Sequence, residues 1–174
     1  MALLVLAYPH LGPVDFAWLQ ALRAQHDERY FSFVAPHVTL VFPVKGVEWG
    51  GFSRHVRRRA AGVPPIRFVA RCAIVVADDA RQFSHVFLVP DEGFSEIVKL
   101  HDRLYTDLLA PELRLDITFI PHLGVGNAKD ARACKLLADE LNAQNFCLAG
   151  LIDTLDVVWY EHNKVETIER IALT

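Results

Sequence analysis

Three cysteines, Cys72, Cys134 and Cys147, are all that the 174 residues contain, an odd number without paired spacing. That excludes a disulfide framework and a zinc knuckle, and fits a reducing compartment such as the cytoplasm. Positive charge is also in short supply: 18 Lys and Arg stand against 21 Asp and Glu, for a formal net charge of -3. A broadly basic nucleic-acid platform is thereby excluded, whereas a local basic patch is not. No apolar run is long enough to cross a membrane. Leu3–Ala7 imitates the apolar part of a signal peptide, but no positive segment precedes it and Tyr8-Pro9-His10 stands where a cleavage site belongs. It reads instead as a buried first strand. There is no low-complexity stretch and no glycine-rich phosphate loop, Gly124-Val125-Gly126 being too short for one. Histidines and acidic residues do not cluster at metal-ligand spacing, so neither a metal nor a cofactor is expected.

What is present is a hydrophobic content of 52% with 22% charged residues, enough to bury a core in one domain spanning residues 1–174. After the first strand, Gly12-Pro13 marks a turn, and Asp15 is placed to cap a helix carrying Phe16, Leu19 and Leu22. A strand is expected over His37–Phe42 and a helix over Gly51–Ala61, closed by Gly62 and Pro64-Pro65. Ile66–Ala77 and His85–Val89 form a hairpin with its turn at Asp78-Asp79. The spacing of Ile97, Leu100, Leu104 and Leu108 predicts a helix over Phe94–Leu109, ending at Pro111. Ile117–Val125 reads as a strand broken by Pro121, and Asp130–Asn142 as a helix. Two strands, Cys147–Tyr160 and Val165–Ala172, meet at His162-Asn163. This order lacks the strict alternation of a doubly wound sheet, so the class is α+β.

The chain carries a loose internal repeat. Residues 36–41 read Pro-His-Val-Thr-Leu-Val and residues 121–126 read Pro-His-Leu-Gly-Val-Gly, about half the chain apart. In the first copy, strand alternation puts Val38 and Leu40 on one face and His37 and Thr39 on the other. Each proline opens its strand, where a missing N–H costs no ladder bond. Were the copies related by a pseudo-twofold axis, His37 and His122 would face each other across a groove. Two imidazoles so placed divide proton transfer, since each is accessible in both forms near neutrality.

The two motifs resemble those of the 2H phosphoesterase superfamily, which includes 2′-5′ RNA ligases and cyclic phosphodiesterases. The family signature is a pair of His-x-Thr/Ser-x motifs. His37-Val38-Thr39-Leu40 matches it fully; His122-Leu123-Gly124-Val125 matches in the histidine and its apolar frame, with Gly124 in place of the hydroxyl residue. The resemblance implies a bilobal fold with an antiparallel sheet in each lobe and a central cleft. It implies catalysis by His37 and His122, with phosphate binding at Thr39 and Gly124. The implied substrate is a nucleotide or RNA terminus with a 2′,3′-cyclic phosphate or a 2′-5′ linkage, opened without a metal. No obligate protein partner is evident, and a monomer is expected. Gly124 also favours an alternative, a nucleotide- or RNA-binding module that keeps the cleft without turnover.

Other residues carry weaker signals. Phe42 and Tyr160 are candidates for base stacking. Pro9-His10-Leu11-Gly12 repeats the letters of residues 121–124 but runs into a turn. Arg54-His55-Val56-Arg57-Arg58-Arg59 has the charge to grip RNA phosphates, yet such a run is usually a solvated helix face. Arg81 and His85 are expected at the surface, Cys72 buried within a strand, and His101 packed on the apolar stripe of its helix.

Overall fold

A computed structural model of the protein describes residues 1–78 and 82–174. The elements run β1 (Ala2–Ala7), β2 (His10–Leu11), α1 (Pro13–His26), β3 (Val38–Val44), α2 (Trp49–Ala60), β4 (Ile66–Asp78), β5 (Phe83–Glu92) and α3 (Phe94–Leu104). A 3₁₀ turn at Asp107–Glu112 follows, then β6 (Leu123–Ala128), α4 (Ala131–Ala143), β7 (Leu148–Ile152), β8 (Thr154–Glu161) and β9 (Lys164–Ala172). The strands form two antiparallel sheets, ordered β3-β1-β8-β9 and β2-β7-β4-β5-β6. Helix α2 packs beside the first sheet, α1 and α4 against the second, and α3 touches both. This is the bilobal α+β arrangement expected from the sequence.

The first sheet is apolar on both faces at β1, which explains its unbroken hydrophobic run. Leu3, Val5 and Ala7 enter the main core, while Leu4 and Leu6 join Val34 and Val158 on the other face, covered by Tyr30 and Phe33. Each histidine motif opens an edge strand: β3 at one edge of the first sheet, β6 at one edge of the second. An edge position tolerates Pro43 within β3. Helix α3 covers that edge, since His101 Nδ1 bonds Leu40 O at 2.9 Å and the Phe42 N–H donates to Tyr105 Oη at 2.8 Å.

Local signals placed most helices well. The Glu48 carboxylate accepts the N–H groups of Gly50 and Gly51, each at 2.8 Å, and starts α2; Asp130 accepts from Arg132 N at 2.9 Å and starts α4. Helix α1 instead begins with Gly12 and Pro13, and Asp15 lies within its first turn rather than at the cap. The helix expected to reach Leu109 stops at Leu104, and Pro111 sits inside the 3₁₀ turn.

Four further expectations are corrected. Cys147–Tyr160 is two strands: β7 ends at Ile152 in one sheet and β8 starts at Thr154 in the other, so the chain changes sheet at Asp153 without a glycine or proline to mark it. His10–Leu11 is a short strand rather than a turn, because it pairs with Gly150 and Leu151 of β7. Residues 117–122 are irregular, and the strand begins only at Leu123. Cys72 is exposed: β4 carries a bulge between Ala70 and Cys72, and the extra residue Arg71 reverses the inside–outside phase. Asp79 and Arg81 lie outside the described residues.

Candidate active site

The two motif histidines share one local construction. His37 Nδ1 lies 2.8 Å from the Ala35 carbonyl, and His122 Nδ1 lies 2.6 Å from the Ile120 carbonyl. Both carbonyls belong to the residue before the proline, which the pyrrolidine ring holds extended, so the chain folds back beneath the imidazole two positions on. In the neutral ring this bond fixes the proton on Nδ1 and leaves Nε2 as the free acceptor. Neither Nε2 has a protein partner among the described residues.

The rings are crowded by protein while the residues stay partly open. Burial pushes the His122 pKa down to about 4, against the Ile120 carbonyl, and the nearby His37 and His85 push it further the same way. His37 is lowered by burial and by Arg23, opposed by the Ala35 carbonyl and Asp27. Burial lowers the pKa of both rings and a proton on His37 further disfavours one on His122, so the free pair is held neutral near neutrality and an anionic ligand must draw in the proton that makes one ring an acid. One neutral and one protonated imidazole is the composition that concerted acid–base chemistry requires.

Aromatic rings brace both histidines. Phe87 stacks on His122 with centroids 3.5 Å apart and planes at 16°, and His85 lies against Phe87 at 5.7 Å. Tyr8 packs edge-on against His37 at 6.1 Å. His85 is thus not a surface residue. It is buried, facing Tyr30 and Asp78, because β5 turns it toward the same side as Phe87.

A buried ion pair ties the two histidine arms together. Arg23 and Asp27, 2% and 4% exposed, join at 2.8 Å between Arg23 Nη2 and Asp27 Oδ2. Arg23 Nη2 also donates to the Val34 carbonyl at 2.9 Å, at the start of the arm leading to His37. Asp27 Oδ1 accepts from Asn127 Nδ2 at 2.6 Å, on the strand that begins just after His122. On the opposite flank His101, bonded to Leu40 O, stacks on Phe119 at 3.6 Å, so it too touches both arms.

The remaining sequence candidates fall in different places. Thr39 pairs in register with Leu6, on the face of the sheet that Tyr8 shares. Gly124 pairs with Phe87 across β5 and β6, and an added Cβ there meets nothing within 4 Å. Tyr160 lines a separate cavity of about 300 Å³ with Arg29, Tyr30, Phe33 and Phe83. Phe42 is half-buried with its N–H tied to Tyr105; β3 slips register against β1 near Val41, so its side does not follow from simple alternation. His10 pairs with Asp153 at the edge of the second sheet opposite β6. Three arginines of the basic run are committed to ion pairs, Arg57 with Glu169, Arg58 and Arg59 with Asp107. Phe87, Tyr8 and Asn127 act through partners in distant elements, and only Phe87 offered a weak clue, its phase with His85 on one strand. Arg23 and Asp27 stand four apart, the spacing of a helical ion pair, but nothing in that spacing marks the pair as buried.

The pH dependence of stability follows from His122. Its folded pKa of about 4 lies below the ordinary 6.5, so the unfolded chain binds the proton more readily. The contribution is present above pH 6.5 and is lost as pH falls towards about 4. Melting temperatures measured across that window are expected to fall less steeply for His122→Gln than for the unaltered protein. Parallel curves would show that His122 is not buried in its neutral form.

Comparison with known proteins places the fold and the family. Solved structures that match along nearly the whole chain include TT0787 of Thermus thermophilus, with a TM-score of 0.62 at 15% identity over 99% of this chain and 98% of that one. E. coli LigT complexed with 3′-AMP matches with a TM-score of 0.59 at 13% identity over 99% and 98%. Kluyveromyces marxianus Usb1 matches with a TM-score of 0.55 at 10% identity over 99% and 97%. At such identities the likeness is one of fold. No curated protein sequence matches significantly. The sequence model of the 2′-5′ RNA ligase superfamily, however, matches residues 12–164, and with that span the chain belongs to this superfamily, among the 2H phosphoesterases.

Proposed function

We propose that the protein is a phosphodiesterase that opens a 2′,3′-cyclic phosphate, or acts on a 2′-5′ linkage, at the end of a nucleotide or RNA. The observation that carries this reading is the pair of imidazoles with matched Nδ1 anchors, near enough for the charge of His37 to act on His122. The neutral ring takes a proton from water at Nε2 as the water oxygen bonds to phosphorus. The protonated ring gives its Nε2 proton to the 3′-oxygen as the P–O3′ bond breaks, leaving a 2′-phosphate. Protons balance without a metal-bound hydroxide, and Thr39 Oγ1 supplies a donor to a non-bridging oxygen. LigT has been captured with 3′-AMP, with NADP+ and with phosphate, which supports a nucleotide as ligand. The test is a panel of 2′,3′-cyclic nucleotides incubated with the protein and a chelator, products resolved by chromatography. Turnover to 2′-nucleotides is expected; tight binding without turnover identifies the binding-module alternative, which Gly124 favours.

Gly124 itself gives a gain-of-function prediction. Its φ is not in the left-handed region and the space for a Cβ is open. Thr is at home in a strand, and alternation puts residue 124 on the face of His122. Gly124→Thr is expected to raise kcat/KM on a cyclic nucleotide about tenfold, the worth of a modest hydrogen bond to charge. A fall with unchanged melting temperature would show that the glycine keeps room for substrate.

A further inference from the structure

The sheet face that carries Thr39 holds a second polar group that proton transfer does not use. Thr39 on β3, Leu6 on β1, Asp156 on β8 and Arg170 on β9 are in register across the four strands, so their side chains rise from one face. Tyr8, two residues beyond Leu6, rises from the same face and touches His37. Asp156 is buried, 3% exposed, and its Oδ1 accepts from Thr167 Oγ1 at 3.0 Å and from Arg170 Nε at 3.1 Å.

The atom that makes this ion pair matters. Asp156 takes Arg170 by Nε, and the two terminal nitrogens of the guanidinium have no partner among the described residues. The Arg170 side chain is 74% exposed. Neutralising a buried carboxylate accounts for the Nε bond but leaves the terminal fork, the part of an arginine that matches a phosphate, without work. By contrast Arg57, Arg58 and Arg59 all direct terminal nitrogens to carboxylates. Tyr8 Oη adds a donor: burial, then Asp156, raise its pKa to about 12 against the pull of Arg170, so it keeps its proton. It has no hydrogen-bond partner among the described residues. From β8 to β3 is two strand spacings, about 10 Å, and Tyr8, beyond the end of β1, stands between them.

We propose that Arg170, held by Asp156, forms with Tyr8 a second anion subsite that takes a phosphate one nucleotide removed from the phosphate between His37 and His122. The proposal rests on the phosphodiesterase reading and narrows it. The preferred substrate carries a further phosphate on the 5′ side of the reacting nucleotide, so a nucleoside 2′,3′-cyclic phosphate with a free 5′-hydroxyl is a truncated substrate.

The experiment compares adenosine 2′,3′-cyclic phosphate with its 5′-phosphorylated form and with a 5′-hydroxyl dinucleotide ending in a cyclic phosphate. The last two separate a terminal 5′-phosphate from an internucleotide phosphate as its source. The unaltered protein is expected to show a KM about tenfold lower for at least one of the two phosphate-bearing substrates, as a charge-assisted contact provides. Arg170→Gln is expected to erase that preference. Because Gln leaves the Asp156 charge uncovered, Asp156→Asn/Arg170→Gln is measured beside it and is expected to erase the preference in a chain of restored neutrality. Turnover with the same preference in both variants, or with none in the unaltered protein, overturns the subsite and leaves the phosphodiesterase reading standing. If no substrate turns over, that reading falls. Calorimetric titration with adenosine 2′-phosphate and adenosine 2′,5′-bisphosphate then decides the subsite alone: tighter bisphosphate binding that is lost in Arg170→Gln supports it, and equal affinities overturn it.

Discussion

Replacing His37 or His122 by Ala is expected to lower kcat on a 2′,3′-cyclic nucleotide by about 10² to 10⁴-fold, the range for one positioned acid or base. Both residues sit on partly open surface and neither is enclosed in the main core, so the melting temperature changes little by comparison. The double variant is expected to lose scarcely more than either single one, since the two rings act as a unit and removing one idles the other. The pH–rate profile of the unaltered enzyme should be bell-shaped, because one ring must be neutral and the other protonated. Each single variant should flatten a limb. A phosphate anion between the rings favours the protonated forms that burial opposes, so binding adenosine 2′-phosphate is expected to take up protons, read as a dependence of the binding enthalpy on the buffer's ionisation heat. Equal turnover in the unaltered protein and both single variants would remove the two-histidine mechanism.

Asp27→Ala is expected to be the most destabilising single change at the site. It leaves the Arg23 guanidinium buried without its counter-charge and strips Asn127 and the Tyr30 N–H of their acceptor. Breaking one side of a buried ion pair costs about 3–5 kcal/mol, which in a chain of this size lowers the melting temperature by roughly 10 °C. Activity measured well below the melting point should fall as well, because Arg23 and Asp27 hold the Val34 and Asn127 ends of the two arms. The double replacement Arg23→Met/Asp27→Leu separates these effects. It buries no charge and is expected to recover most of the stability, as hydrophobic replacements of buried pairs do, while kcat stays low with the ties to Val34 and Asn127 gone. Recovery of both would reduce the ion pair to packing. Thermal melts with single-temperature turnover read the two outcomes independently.

The legible parts of the chain were those governed by neighbours in sequence. The helix from Asp130 onward, the hairpin of β4 and β5 and the apolar stripe of α3 each express a local period or a local hydrogen bond, and each appeared close to its expected place. The parts that were not legible turn on one-residue shifts and on pairing order. A single extra residue at Arg71 moved Cys72 from inside to outside, and an unmarked step at Asp153 sent two halves of one apolar run into different sheets. His85 could be assigned to a surface or to a site only once β5 was known to lie between β4 and β6.

The order of residues along the chain already contains the two imidazoles, the prolines that precede them and hence the carbonyl two residues back that anchors each Nδ1, because all of these interactions close within three residues. It contains equally the departure at Gly124. What surrounds the pair came only with folding: Phe87 against His122, Tyr8 against His37, the Arg23–Asp27 tie between the arms, and Arg170 bonded to Asp156. The cause is sequence separation. Asp27 meets Asn127 across 100 residues, and a contact of that span leaves no period in the chain; it exists only after the second sheet has formed and α1 has packed against its edge strand β6.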